Sequence, residues 1–202
     1  MDQGLIIWAR RVKQRYRNPY PTLWLFTDLT RLPDPLPSIK ALPAGISGVV
    51  FRHDDAPGRL ALGLRIARLC KARRIALVVA GDARLAARLQ AGVHLRGGHF
   101  AGYSRPKTGL KTASAHNPPD VIRARRANAA IIFISPLCAT ASHPVGQPGS
   151  RPLGPCRWRA LARNARPAKA YALGGITGKV MKQLAGFSCG AASIRALADY
   201  IS

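Results

Sequence analysis

The chain has 202 residues, with 32 lysines and arginines against 8 acidic residues and a formal net charge of +24. A hydrophobic content of 48% excludes a disordered basic tail and is enough to bury the core of one sizeable domain. The cysteines are widely spaced and form no C-x-x-C pair, which argues against both a zinc site and a disulfide framework.

The amino-terminal segment lacks the features of a secretion signal. Its short apolar run at 5–8 precedes the basic residues at 10–17, whereas a signal peptide carries its basic residues first. No apolar run approaches the roughly 20 residues that cross a bilayer. We therefore expect a cytoplasmic protein with no membrane partner.

The positive charge attracts anions such as phosphorylated metabolites, nucleic acid or acidic lipid. The basic residues are nevertheless spread along the whole chain, as they would be on ordinary solvated faces of an arginine-rich protein. Aromatic residues make up only 6%, and no helix-turn-helix, RNA-recognition or finger motif is present. Charge-driven, non-specific binding of nucleic acid stays open.

The apolar pattern predicts short strands that alternate with helices. Residues 1–20 form a basic helical extension, with a helix at 4–17 that ends before Pro19 and Pro21. Strands are predicted at 23–27, 46–51, 75–80, 92–95, 111–115, 129–134, 169–173 and, more weakly, 187–191. Helices are predicted at 38–43, 59–74, 83–90, 117–128, 157–166, 177–184 and 192–201.

The segment 129–134 contains no polar residue, which is typical of a strand buried on both faces of a parallel sheet. A buried helical turn is the alternative, but the β-branched residues and Pro136 favour a strand. The following residues, 135–143, are predicted as an active-site loop, and 135–155 as a mobile lid or insertion.

Eight such strand–helix units in one chain indicate a single-domain (β/α)8 TIM barrel over residues 21–202. The usual length of that fold is about 250 residues, so this would be a small barrel. A doubly wound open sheet is the alternative. The chain has no G-x-G-x-x-G after its first strand to bind a dinucleotide.

Polar and charged side chains follow the predicted strand ends, where ligands bind in α/β sheets and barrels. Histidine suits proton transfer or anion binding, although any one of these histidines could be an incidental loop residue. Gly174-Gly175 precede a helix and are suited to bind phosphate, with a tight turn as the alternative. The candidates are Asp28, Arg52, His53, Asp82, Arg96, His99, Ser114, His116, Thr140, Ser142, His143, Gly174, Gly175 and Ser193.

An ordered set of short motifs resembles the thiamine phosphate synthase/TenI superfamily. The set is Leu-Trp-Leu-Phe-Thr-Asp at 23–28, Gly-Val-His-Leu at 92–95, Ser-Ala-His at 114–116, Ser135-Pro136 with Thr140, Ala-Leu-Gly-Gly-Ile at 172–176, Ala-Gly-Phe at 185–187 and Gly-Ala-Ala at 190–192. The resemblance covers about residues 23–198. It implies a TIM barrel, thiamine biosynthesis and commonly a homodimer.

The resemblance also implies substrates and roles. A synthase of this family joins an aminopyrimidine diphosphate to a thiazole phosphate, with the released diphosphate held by Mg²⁺ and cationic side chains. Arg52 matches the family's arginine after strand two, and Asp82 matches a Mg²⁺ ligand after strand three. Ser114 matches the serine before the family's histidine, and Gly175 a glycine whose backbone meets the thiazole phosphate.

Several positions depart from the family pattern. His53 replaces a lysine after strand two, Gly81 an asparagine before Asp82, and His143 the diphosphate-binding lysine after strand six. The second Mg²⁺ carboxylate is absent from the loop that begins at Arg96. Because Mg²⁺ is usually bound through one or two carboxylates plus substrate phosphates, the sequence argues against a tight Mg²⁺ site.

TenI-type proteins keep the barrel and lose much of the diphosphate site. Some isomerise the thiazole phosphate carboxylate with the histidine that His116 matches. The sequence therefore leaves three functions open: a synthase, a tautomerase that uses His116, and a barrel without catalytic activity that binds a phosphorylated ligand or nucleic acid.

Overall fold

The computed structural model describes residues 1–96, 109–140, 151–184 and 186–198. Within this part of the chain, eight parallel strands close into a barrel in sequence order, with the last strand paired to the first. The (β/α)8 barrel is thus confirmed. The strands are β1 (Leu23–Phe26), β2 (Ser47–Phe51), β3 (Ala76–Ala80), β4 (Gly92–Leu95), β5 (Lys111–Ala115), β6 (Ile131–Ile134), β7 (Lys169–Leu173) and β8 (Gly190–Ser193).

Helices surround the barrel in the described ranges. They are α1 (Gln3–Arg15), α2 (Leu36–Ala41), α3 (Arg59–Ala72), α4 (Ala83–Arg88), α5 (Pro118–Arg126), α6 (Gly154–Asn164) and α7 (Gly178–Lys182). None of these helices has the length and apolar character needed to span a membrane.

The barrel interior is filled mainly by aromatic rings. The Phe133 ring packs edge-on against the rings of Trp24, Phe26 and Tyr171, with centroids 4.9 to 5.7 Å apart. Glycines on neighbouring strands make room for these rings, because a Cβ on Gly48 would lie 2.6 Å from the Trp24 ring. The predicted double-sided burial of the sixth strand is confirmed, since every residue of β6 is buried.

Helix α1 belongs to the outer helical layer. It contacts α7 and β8, and it buries Leu5 and Ala9 completely. The Asp2 carboxylate accepts hydrogen bonds from Leu5 N at the start of α1 and from Gly178 N at the start of α7. The boundary drawn at residue 20 stays a prediction, but the helix before it is packed against the barrel.

The carboxyl-terminal part of the sequence prediction was wrong. The last strand lies at Gly190–Ser193 rather than 187–191, and a short 3₁₀ turn at Arg195–Leu197 stands where a helix from 192 was expected. Small residues carry little strand propensity, so the sequence did not reveal the register. Packing decides it: a Cβ on Gly190 would lie 2.5 Å from the Tyr171 ring. Residues 199–202 of the predicted helix lie outside the described residues.

Candidate functional site

A cavity of about 590 Å³ opens at the carboxyl ends of the strands. The structure brings seven of the fourteen candidate residues together in its wall. These are Arg52, Ser114, His116, Thr140, Gly174, Gly175 and Ser193. The strand ends of a parallel barrel meet on one face, which explains why residues so far apart in sequence line one cavity.

His116 follows β5 and is held in place from two sides. Its backbone N–H donates to Asp120 Oδ2 at 2.9 Å, in the first turn of α5, and Asn117 caps that helix as the sequence predicts. The ring Nδ1 lies 2.9 Å from the carbonyl oxygen of Ser135. A carbonyl only accepts hydrogen bonds, so Nδ1 carries the proton and Nε2 is the basic nitrogen of the neutral ring. The orientation of the His116 ring in the cavity wall is thus fixed.

Ser114 is held by a buried histidine, His94, which lies within β4 and was not among the predicted site residues. His94 Nε2 lies 3.0 Å from Ser114 Oγ, and Nδ1 lies 2.8 Å from Thr112 Oγ1. Burial, reinforced by the charges of Arg52 and Arg96, lowers the pKa of His94 to about 3. The imidazole is therefore neutral at physiological pH and orients the Ser114 hydroxyl in the cavity wall.

Arginines make one side of the cavity cationic. Arg52 Nη2 lies 3.1 Å from Asp28 Oδ2, and the same carboxylate pairs with Arg31. Burial lowers the pKa of Arg52 and Asp28 opposes that shift, yet a guanidinium keeps its proton in proteins. Such a wall favours an anionic ligand.

Two further arginines, Arg31 and Arg195, line the cavity and were not predicted from the sequence. The sequence could have indicated Arg31, because it lies three residues after the candidate Asp28 and can pair with that carboxylate. Arg195 follows Ser193 by two residues, but the misplaced last strand hid its position at the cavity.

Gly174 and Gly175 form the opposite wall, and both have positive φ angles of 89° and 65°. Cys138 N donates to the carbonyl oxygen of Gly174 at 3.1 Å, so the segment after β6 lies against this turn. A Cβ on Gly175 would lie 2.6 Å from Cys138 Cβ and 2.7 Å from the Ala139 oxygen. Only glycine therefore allows the two loops to meet.

Seven candidate residues are not part of this wall as described. Asp28 pairs with Arg52, Arg96 pairs with Asp54, and His99 and Ser142 lie outside the described residues. His53 is fully buried, with Nδ1 2.9 Å from Thr27 Oγ1 and Nε2 donating to the Leu32 carbonyl at 3.1 Å. Asp82 caps α4, where Oδ1 accepts from Leu85 N at 2.9 Å. His143 lies outside the described residues, as does the neighbouring part of the predicted lid.

The carboxylates at the rim of the barrel, where the strands end, do not fit a Mg²⁺ ion. Asp28, Asp54 and Asp82 each form a salt bridge with an arginine. Among the residues that the structure describes, no group of three potential metal-ligating side chains is present. Mg²⁺ needs oxygen ligands in near-octahedral geometry, and these oxygens already accept hydrogen bonds from guanidinium and backbone N–H groups.

Residues 38–198 match the model of the thiamine monophosphate synthase family, TMP-TENI. The chain belongs to this family. The match spans most of the barrel, from α2 to the 3₁₀ turn after β8. The match supports a thiamine phosphate synthase-like function in thiamine biosynthesis, in a family that binds phosphorylated thiazole and pyrimidine substrates.

Solved structures share the fold. Thiamine phosphate pyrophosphorylase from Pyrococcus furiosus is 21% identical with a TM-score of 0.70, over 92% of this chain and 91% of that chain. The enzyme of the same name from Bacteroides thetaiotaomicron is 18% identical with a TM-score of 0.53, over 86% and 82%. Citrate synthase SbnG is 14% identical with a TM-score of 0.61, over 90% and 89%. No curated protein matches the chain in sequence.

Proposed function

We propose that this protein is a TenI-type thiazole tautomerase that binds a thiazole phosphate carboxylate and moves one proton through His116. The observation that carries this proposal is the fixed His116 ring in the wall of a cationic cavity. An isomerisation takes a proton from one carbon of the thiazole and returns it to another. It therefore needs one group that accepts and donates a proton, and neither an oxidant nor a second substrate.

The surrounding residues supply binding and charge stabilisation. The turn at Gly174-Gly175 and the nearby Arg195 are suited to hold the phosphate, because backbone N–H groups and a guanidinium both bind anions. Arg52, on the other side of the cavity, is suited to the carboxylate and to negative charge that develops as the carbon loses its proton. His116 then acts as base through Nε2 and returns the proton as acid.

A synthase reaction has weaker support in this site. It releases diphosphate, whose charge must be neutralised as it leaves. The rim carboxylates that would bind Mg²⁺ for that purpose are paired with arginines. The proton transfer requires none of those carboxylates.

The decisive experiment incubates the protein with thiazole phosphate carboxylate in D₂O, with and without aminopyrimidine diphosphate and Mg²⁺, and identifies the products by NMR and mass spectrometry. We expect isomerisation with deuterium incorporation in the absence of Mg²⁺. The His116→Ala variant should be slower by about 10²- to 10⁴-fold, the usual contribution of a general acid–base. The same variant should still bind inorganic phosphate, which shows that the cavity is intact.

Other results would change the assignment. Formation of thiamine phosphate in the presence of the pyrimidine and Mg²⁺ would establish a synthase. Full activity of the His116→Ala variant would remove the histidine from the mechanism. No turnover with either substrate set would leave a barrel that binds phosphorylated ligands without catalysis.

A further inference from the structure

We propose that Arg59 takes the place of a divalent cation at the rim of the barrel, so that the protein binds its phosphate-bearing ligand without a metal ion. The proposal rests on the proposed function in one respect only, that the ligand of the cavity carries a phosphate. Its geometric core, a guanidinium between two carboxylates at the ends of β2 and β3, stands independently of the reaction catalysed.

Arg59 bridges the carboxylates with both of its terminal nitrogens. Nη1 lies 3.0 Å from Asp82 Oδ2, and Nη2 lies 3.0 Å from Asp54 Oδ1. Nη2 also lies 3.3 Å from the carbonyl oxygen of Ala80, and the guanidinium sits 5.7 Å from the centroid of the Phe51 ring. With a side chain only 18% exposed, this arginine is held inside the rim and does not extend into solvent.

The remaining oxygens of both carboxylates are also engaged. Asp82 Oδ1 accepts the hydrogen bond that caps α4, and Asp54 Oδ2 pairs with Arg96. A metal ion would have to displace Arg59 from both carboxylates, and also either break the cap of α4 or displace Arg96. Each displaced guanidinium would then be left beside a divalent cation, which like-charge repulsion disfavours.

The position of Arg59 in its helix indicates what the carboxylates do for it. Arg59 is the first residue of α3, and Gly58 before it provides no side-chain cap. A positive side chain at a helix amino terminus is unfavourable because the helix dipole is positive there. The carboxylates of Asp54 and Asp82 offset this cost, and Arg59 in turn neutralises part of their negative charge.

The cluster reaches the ligand cavity through Arg52. Asp54 and Arg96 are both close enough to act on the charge of Arg52, which lines the cavity. The rim from β1 to β4 therefore carries two sets of ion pairs, one around Asp28 and one around Arg59, which act on each other through the charges of Arg52, Asp54 and Arg96. Arg59 occupies the carboxylates that would otherwise bind a metal ion, and the guanidinium groups that line the cavity, Arg31 and Arg52 on this side, are the cations available to a bound phosphate.

The first test measures metal binding in the absence of any ligand. Mn²⁺ is added to the protein and the free ion is followed by electron paramagnetic resonance. We expect no detectable binding to the unsubstituted protein and a gain of at least tenfold in Mn²⁺ affinity for Arg59→Met, which frees both carboxylates. Arg59→Lys provides a second variant if the methionine variant does not fold, since one ammonium cannot bridge as the guanidinium does. Arg68→Met, at an exposed position of the same helix, is the matched control and should gain nothing.

The second test measures the affinity of the unsubstituted protein for inorganic phosphate by calorimetry, with EDTA and with Mg²⁺. We expect the phosphate affinities measured under the two conditions to agree within twofold. A tenfold or greater increase with Mg²⁺, or Mn²⁺ binding by the unsubstituted protein, would overturn the proposal, as would Arg59 variants that gain no Mn²⁺ affinity. Absence of phosphate binding under both conditions would instead refute the phosphate cavity of the proposed function, while the Mn²⁺ result would still decide the role of Arg59.

Discussion

At the scale of single residues, His94 has the most informative environment. It is 1% exposed and lies inside the barrel, with its ring 5.4 Å from Phe26 and 5.7 Å from Phe133. Both ring nitrogens contact hydroxyls on β5, so the neutral ring is satisfied as one donor and one acceptor. A protonated ring would have two donors and a buried charge beside arginines. The fold therefore holds this histidine neutral.

The neutrality of His94 predicts a loss of stability in acid. In the unfolded chain its pKa returns to 6.5, while in the folded protein it is about 3. Below pH 6.5 the unfolded state binds a proton that the folded state does not, so the free energy of unfolding decreases as pH falls. Because one proton is involved, the free energy of unfolding falls by about 1.4 kcal/mol per pH unit until the pH nears the pKa of His94 in the folded protein.

Urea denaturation at several pH values between 6.5 and 4.5 checks this prediction by comparison with His94→Gln. The glutamine variant should be less stable near neutral pH. As pH falls, its free energy of unfolding should decrease less steeply than that of the unsubstituted protein, and the difference in slope should correspond to about one proton. Equal pH dependence in the two proteins would contradict the assignment, because both contain the same aspartates.

At the scale of elements, the contact between the β6–α6 and β7–α7 connections shapes the cavity. Leu137 N donates to the Leu173 carbonyl at 2.9 Å, and Leu153 N donates to the Pro136 carbonyl at 2.9 Å. These bonds hold the described start of the loop against Gly174 and Gly175. The proposed phosphate position depends on this packing, since Thr140 and the glycine turn line the same cavity.

Two alanine substitutions separate backbone strain from this loop contact. Gly175 and Gly45 both have positive φ angles, 65° and 76°, but a Cβ on Gly45 meets nothing within 4 Å. Gly45→Ala should cost only the strain of the left-handed conformation, about 1–2 kcal/mol. Gly175→Ala should add about 1–3 kcal/mol for the overlap with Cys138 and Ala139, and should weaken phosphate binding.

Urea denaturation and phosphate titration measure these two effects. Gly45→Ala is the control and should leave phosphate affinity unchanged, because it lies before β2 and away from the cavity. If both variants bind phosphate equally well, the glycine turn does not form the phosphate site.

At the scale of the whole molecule, the two ends of the chain complete the barrel together. β8 pairs with β1, and α1 packs beside β8 and α7. Asp2 N donates to the Ala196 carbonyl at 2.8 Å, and Thr22 Oγ1 donates to the Ala9 carbonyl at 2.9 Å. The described residues after β8 form only a 3₁₀ turn, so α1 covers the strand that an eighth helix would otherwise cover.

This arrangement predicts that α1 is required for stability. Leu5 is completely buried, whereas Ile7 on the same helix is 50% exposed. Leu5→Ala should lower the free energy of unfolding by about 2–5 kcal/mol, as expected for a buried leucine that leaves a cavity. Ile7→Ala is the control and should stay within about 0.5 kcal/mol. Equal and small effects in urea denaturation would show that α1 is a dispensable extension.

The net charge of +24 is also a property of the whole molecule. It is consistent with an anionic ligand and with arginines in the cavity wall, and non-specific nucleic-acid binding stays a prediction. So does the homodimer, since no contact between copies is described.

The sequence by itself determined the parallel strand–helix architecture and seven of the residues that line the cavity. Uninterrupted apolar runs such as 131–134 have no polar face, so they must be buried on both sides, and strand–helix alternation then requires a parallel sheet. Because all strands of such a barrel end on one face, the residues after them, including Arg52, Ser114 and His116, could be expected to meet.

Only the tertiary structure decided which polar residues serve the cavity and which serve the fold. His53 and Asp82 also follow strand ends, but one donates to a loop carbonyl and the other caps α4 and pairs with Arg59. His94 lies within β4, and only the register of that strand against β5 brings its ring to Thr112 and Ser114. Spacing along the chain does not state which partner a side chain finds across the barrel, since that depends on contacts between residues distant in sequence.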